Sequence, residues 1–267
     1  NRFRSNHPCS MTWIKRVSLI IGLLAACAGM SAQERPIESI YAFEVGGVRD
    51  LSTYLSALYY TGFDLAMSGS WTKDFQRWSD RCTMRFEAAV DYQQMLNPAK
   101  SAQMLGATAR FNWGLLWRKA FARDFQFTLG PMLDIYGGAL YLTRNGNNPV
   151  TALASAGFDV AGSVSYRFRI GRFAAAVSDE LRIPTIGAFF CPQFGETYYE
   201  IYLGNHRDLV HCGWWGNAFG ADNLLSFKIN LGRTGLLVGY RFDLRTFKAS
   251  HLQTQVLRNA FVIGIIP

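Results

Sequence analysis

The sequence predicts an all-β fold, a transmembrane antiparallel up-and-down β-barrel of about twelve strands, within a range of roughly 10–14. Three observations carry this expectation. Several stretches alternate apolar and polar residues for about ten positions or more, long enough to cross a bilayer when tilted, where ordinary strands average about five or six. In five of these runs the apolar face carries no charge, as lipid exposure requires, since Arg or Lys at the bilayer midplane costs roughly 2–4 kcal/mol. The opposite faces mix Gly, Ala, Ser and Thr with Arg, Asp and Glu. That suits a crowded interior, where the planar guanidinium fork pairs with carboxylates. A soluble sandwich or lipocalin-like barrel also alternates, with its apolar face inward, but its solvated face would use more Lys. Here Lys73, Lys100, Lys119 and Lys248 fall in connections and only Lys228 falls mid-strand.

From the N-terminal side, residues 1–10 read as an upstream mistranslation and residues 11–32 as a secretory signal peptide. Lys15 and Arg16 form its positive region, Val17–Ala28 its apolar region, and cleavage falls near Ala32. Leu24-Ala25-Ala26-Cys27 also matches a lipobox, a second route out of the cytoplasm, and the sequence leaves the two open. Residues 33–267 then form a single barrel domain. The net charge of +8 includes the four cations of residues 1–32, Arg2, Arg4, Lys15 and Arg16, leaving +4, so the basic balance does not indicate nucleic-acid binding.

Strands are predicted near 39–48, 60–71, 82–93, 103–117, 125–142, 152–169, 172–183, 186–191, 196–204, 222–231, 234–246 and 252–266. In the third, Met84, Phe86, Ala88, Val90 and Tyr92 face lipid while Arg85, Glu87, Ala89, Asp91 and Gln93 face inward. The same alternation sets Leu105 to Trp117 against Gly106, Thr108, Arg110 and Asn112, and Leu236 to Leu244 against Gly239, Arg241 and Asp243. Aromatics gather near strand ends, as at Trp113 and Trp117, Phe125 and Phe127, and Tyr166 and Phe168, where interfacial girdles lie. Gly171 and Gly232 mark tight turns for the periplasmic end. The connections 49–59, 94–102, 143–151 and 205–221 are assigned to the outside, with 72–81 long for a periplasmic turn.

Five groups of residues resemble an uncharacterised family of Bacteroidetes outer-membrane β-barrel proteins, a domain of unknown function. They are Thr53-Tyr54-Leu55-Ser56 with Tyr60-Thr61-Gly62, Tyr141–Asn145 with Asn147-Asn148-Pro149, Pro184-Thr185-Ile186-Gly187, Tyr198-Tyr199-Glu200-Ile201 with Leu203-Gly204-Asn205, and Phe261-Val262-Ile263-Gly264. Their order along the chain carries the likeness, and Ala57 stands where the family has Pro. The resemblance implies an outer-membrane barrel and brings neither an activity nor binding residues.

The candidate site is a lumen charge network of Arg85, Glu87, Asp91, Arg110, Asp134, Asp159, Arg167, Glu180, Arg182, Glu200, Arg241 and Asp243. Two readings stand: a closed, salt-bridged core, tolerable because the charges pair, or a polar conduit with charge selectivity. Trp214, Trp215 and Phe219 form an aromatic cluster in a loop, for packing, anchoring or partner binding. His206 and His211 lie beside Asp208 with Ser226 downstream, yet no motif joins them into a nucleophile–base pair. Cys82, Cys191 and Cys212 match no zinc spacing, and a Cys191–Cys212 bridge is left open. No catalytic residues, metal or cofactor are expected. The expected partners are outer-membrane lipid and a protein at the extracellular loops, with no nucleic acid. The expected role is a non-catalytic structural or surface-interaction barrel in the Gram-negative outer membrane. A small-solute channel and an outer-membrane lipid-modifying enzyme are the alternatives.

Overall fold

The computed structural model describes residues 38–74, 81–146 and 148–267. The predicted leader lies outside them, as does most of the 72–81 connection. The strands are β1 (Glu38–Ser52), β2 (Ser56–Asp74), β3 (Cys82–Leu96), β4 (Gln103–Ala120), β5 (Phe125–Leu142), β6 (Val150–Ile170), β7 (Phe173–Phe190), β8 (Val210–Trp214), β9 (Ala218–Asn230), β10 (Gly235–Ala249) and β11 (Leu252–Ile266). A five-residue helix, α1 (Tyr198–Tyr202), precedes β8.

Each strand pairs antiparallel with its neighbours, β1 closes on β11, and β6 on β7. The result is a closed barrel of ten strands, with β8 continuing the line of β9 along the upper half of β7. Closure leaves no free edge in the ring of ten, while β8 above it pairs with β7 alone. Two inward glycines let the wall close tightly: a Cβ on Gly46 would meet the Asn259 carbonyl, and one on Gly62 the Gln94 carbonyl.

The expected dozen strands become ten in the ring for two local reasons. The segments 172–183 and 186–191 are one strand, β7. Its pairing to β6 shifts between Phe158 and Asp159, which face Ile186 and Pro184. Thr185 sits in this bulge and its hydroxyl donates to the Phe158 carbonyl at 2.6 Å. A bulge adds one residue and reverses the alternation, so Arg182 faces inward before it and Phe189 after it. The predicted strand 196–204 is instead loop and helix. Thr197 accepts from the Glu200 amide and Glu200 reaches back to the Thr197 amide, a capping box. Both corrections remove strands in a way that keeps the Gly171 and Gly232 turns on one end of the barrel. That end, here the terminal end, also holds the start of β1 and the finish of β11. The outside connections predicted at 49–59, 94–102, 143–151 and 205–221 all lie at the other end. They are shorter than expected, except for the excursion 191–217 that carries α1.

That excursion folds onto the barrel mouth. Tyr54 in the β1–β2 turn donates to the Glu196 carbonyl at 3.0 Å and stacks edge-on against Tyr198 with centroids 5.6 Å apart. The Tyr198 hydroxyl accepts from the Ala152 amide at 2.6 Å. Burial and the neighbouring Tyr198 push the Tyr54 phenol up to about 12, which keeps it a donor across ordinary pH.

The outer wall is apolar on every strand of the ring. Val238, Ile263, Phe43, Met67 and Val90 stand directly opposite one another across β10, β11, β1, β2 and β3. All five are exposed, Met67 at 65% and Val90 at 55%. Phe111, Ile135, Val160, Leu181 and Leu225 continue the exposed apolar surface around β4, β5, β6, β7 and β9. Polar breaks are few: Asp179 on β7 accepts from Asn223 on β9 at 2.8 Å, and Tyr240 donates to Asn259 at 3.1 Å.

Candidate functional site

Inside the barrel the polarity is inverted. Inward positions carry Glu44, Asp50, Asp64, Glu87, Asp91, Asp134, Asp159, Glu180, Asp222 and Asp243 together with Arg85, Arg110, Arg182, Arg241, Arg245 and Arg258. Asp222 is the hub. It accepts from Arg110 at 2.8 Å, Arg182 at 2.7 Å and Arg241 at 3.0 Å. Arg110 also reaches Asp243 at 2.6 Å, and Arg182 also reaches Glu87 at 2.6 Å and the Asn112 side-chain oxygen at 2.9 Å. Arg85 joins Glu87 at 2.6 Å to Glu180 at 2.7 Å. Arg245 forms a fork on Asp134 at 2.8 and 3.1 Å and lies 4.5 Å from the Tyr136 ring centroid. Arg258 pairs with Asp64 at 2.6 Å, and Arg241 with Glu44 at 3.3 Å. Buried charges are tolerated when paired and hydrogen-bonded in this way.

Most of the sequence-predicted charges meet here: Arg85, Glu87, Arg110, Asp134, Glu180, Arg182, Arg241 and Asp243. Asp91 accepts from Thr108 at 2.6 Å and lies 4.0 Å from Arg258. Asp159 is buried on the wall of a cavity of about 60 Å³ that Asp134, Arg182 and Arg245 also line. Two expectations are corrected. Arg167 faces the terminal mouth, exposed, and donates to Gln126 at 2.8 Å, outside the network. Glu200 is not in the lumen but caps α1, and hydrogen bonds from the Thr197 amide and hydroxyl hold its carboxyl below the usual range. The sequence reading missed Glu44, Asp50, Asp64, Asp222, Arg245 and Arg258. Asp222 and Arg245 sit at the edges of their predicted strands, and strand β11 hid Arg258 because Val256, Ala260 and Val262 share its inward face.

Two apolar layers flank the charges. Toward the capped end, Met95, Met104 and Leu140 are fully buried and pack with Tyr60, Tyr136, Leu153 and Val256. Toward the terminal end, Leu224, Leu237 and Val262 cluster with Ile40 and Ala42. The interior cavities among these layers are small, about 60 Å³ and about 40 Å³.

Asp50 lies between the charged layer and the apolar layer. It is fully buried, opposite Tyr60 and Val256, and among the described residues neither carboxylate oxygen has a hydrogen-bond partner. A buried polar group left unsatisfied costs roughly 1–3 kcal/mol. Asp50→Leu, which removes the unsatisfied oxygens at similar side-chain volume, is therefore expected to raise the thermal unfolding midpoint of the detergent-solubilised barrel at pH 8. A lowered midpoint would mean that the carboxylate has a partner.

Trp214, Trp215 and Phe219 are all exposed at the capped end. They do not form one stack: Trp215 donates to the Pro184 carbonyl, and Phe219 stands opposite Thr246 on the outer face. The histidine–serine arrangement is not assembled. His211 contacts the Cys191 carbonyl at 3.0 Å and packs on Phe189, whereas Ser226 is buried opposite Ser178. Ser178 and Phe189 are eleven residues apart on β7, roughly 36 Å of strand. Burial pushes the Cys191 thiol up to about 11, so it holds little thiolate at neutral pH.

Fold and interior together define a closed antiparallel β-barrel of ten strands, apolar outside and ion-paired within. The chain belongs to the family described as "Protein of unknown function (DUF3316)", which matches residues 16–267. No curated protein matches it. Among solved structures it is similar to the transport unit of the autotransporter AIDA-I from Escherichia coli, at 8% identity over 98% of this chain and 99% of that one, with a TM-score of 0.48. It is also similar to the outer membrane protease OmpT from Escherichia coli, at 7% identity over 90% and 98% of the two chains, TM-score 0.48. The translocator domain of the autotransporter NalP from Neisseria meningitidis matches at 8% identity over 95% and 96%, TM-score 0.35.

Proposed function

We propose that this chain is an integral barrel of the outer membrane of a Gram-negative bacterium, consistent with the resemblance to Bacteroidetes barrels. Its role is structural or surface-interacting rather than catalytic. The observation that carries the membrane reading is the exposed apolar row running through Val238, Ile263, Phe43, Met67 and Val90. A water-soluble monomer rarely exposes an apolar patch beyond a few hundred Å², whereas a lipid bilayer requires such a band. The capped end, with its excursion 191–217 and its exposed Trp214 and Trp215, then offers the surface for a protein partner.

The interior supports a closed lumen over a small-solute channel. Six guanidiniums are held in direct ion pairs, and a layer of fully buried Met95, Met104 and Leu140 stands in series with them. Ion passage would require the pairs to part and the apolar layer to wet. Reconstituted in planar bilayers, the purified barrel is expected to show no steady conductance, while floating with outer membranes on fractionation. Stable ion-selective channels would overturn the closed-lumen reading. Recovery in the soluble periplasmic fraction without detergent would overturn the membrane reading.

A further inference from the structure

The terminal mouth differs from the rest of the lumen in both space and charge. A cavity of about 720 Å³ opens there, lined by β6, β7, β9 and the β9–β10 turn. By strand alternation Arg167 and Arg169 both face inward on β6, and Lys228 faces inward on β9. Arg233 stands on the adjoining turn, brought close because Ala174 at the start of β7 is opposite Asn230 at the end of β9. The acids on this wall are Glu38 and Asp124. Glu38 is taken up by Lys228 at 3.2 Å. Arg167 spends a donor on neutral Gln126, and among the described residues Arg169 and Arg233 make no ion pair. The deeper network is the reverse: every guanidinium in it is on a carboxylate.

We infer that this mouth is a receptor for a small multivalent oxyanion, of the diphosphate or dicarboxylate class, entering from the terminal side. Arg167 and Arg169 stand two residues apart on one face, roughly 6–7 Å along the strand, so their planar forks present two adjacent bidentate sockets for phosphate or carboxylate oxygens. Lys228 stands two strands along the same wall, across Ala176 from Arg167, and Arg233 on the adjoining turn flanks it. The cavity is of the size of a small-molecule pocket, roughly 300–1,000 Å³, while two cavities deeper among the described residues hold about 60 Å³ and about 40 Å³. The space for such an oxyanion is therefore at the mouth. Because the arginines on β6 face the lumen, a soluble solute fits them better than a phospholipid headgroup packed against the outer wall. The site stands on the mouth alone and holds whether or not the lumen conducts.

The test is titration calorimetry of the full chain in non-ionic detergent with inorganic pyrophosphate and, separately, succinate. Saturable binding that weakens as salt rises is expected for at least one of them. R169Q/R233Q should weaken it by at least about tenfold, the scale of losing one charge-assisted hydrogen bond or more. Both side chains are exposed and without ion pairs, so the fold should survive, checked by an unchanged melting midpoint. R207Q, at the capped end, should bind as the wild type does. A second arm uses nanodiscs of phosphatidylcholine with or without phosphatidylglycerol. Pyrophosphate binding of equal strength in both supports the soluble oxyanion. No binding of either anion, binding unaffected by R169Q/R233Q, or a response to phosphatidylglycerol alone overturns it.

Discussion

Asp222→Ala is expected to be the most damaging single change inside the barrel. Asp222 is the shared acceptor of Arg110, Arg182 and Arg241, each within 3.0 Å. Removing one partner from a buried ion pair costs roughly 3–5 kcal/mol, because the other charge is left uncompensated. Here three guanidiniums lose an acceptor at once. All three have others, since Arg110 keeps Asp243, Arg182 keeps Glu87 and Arg241 keeps Glu44, so the loss is expected within that range rather than three times it. Thermal or guanidinium unfolding in detergent, read by the slower gel mobility of the unfolded barrel, measures it. Asp222→Ala combined with Arg110→Ala should recover part of the loss, since contacting residues in one network are not additive. A variant with Asp222→Ala as stable as the wild type would show that the hub is filled by water and not by charge pairing.

The second large effect is on the opposite face of the wall. Val90 is exposed at mid-strand, directly opposite Met67, while its neighbour Ala89 faces inward opposite Ser68. If the outer face meets lipid, Val90→Arg places a cation in hydrocarbon at roughly 2–4 kcal/mol. Ala89→Ser adds one hydroxyl to a polar interior and should cost little. The variant with Val90→Arg should assemble poorly into membranes and show less of the fast-migrating unheated band than the Ala89→Ser variant. Equal assembly of the two would remove lipid from the outer face.

Much of the wall could be read from the sequence because strand alternation is local. Successive side chains point to opposite faces with a period of two, so Met84 to Tyr92 and Leu236 to Leu244 declare their outer face without knowledge of their neighbours. The reading failed where that period was interrupted or ambiguous. At Pro184-Thr185 the bulge reverses the alternation, so one strand looked like two. At Tyr198-Tyr199-Glu200-Ile201 the aromatics suggested a strand, although Thr197 and Glu200 spell a capping box that outweighs them. On β11 both faces are rich in apolar residues, and Arg258 did not stand out.

Which charges meet was a matter for the tertiary structure alone. The sequence by itself determined that the chain makes strands with one charge-poor face and one face bearing Arg, Asp and Glu. It could not determine that Arg182 finds Glu87, 95 residues away, that Arg110 finds Asp243, 133 residues away, or that Arg258 finds Asp64, 194 residues away. Those partners are fixed by register and by the closure of β1 on β11, which bring opposite walls within reach across a narrow lumen. Closure also decided that apolar clusters stand on both sides of the charged layer, with Arg167, Arg169 and Lys228 beyond the one at the terminal end. Alternation tells each residue which side of the wall it faces, but only the ring of ten strands sets its height and what stands across from it.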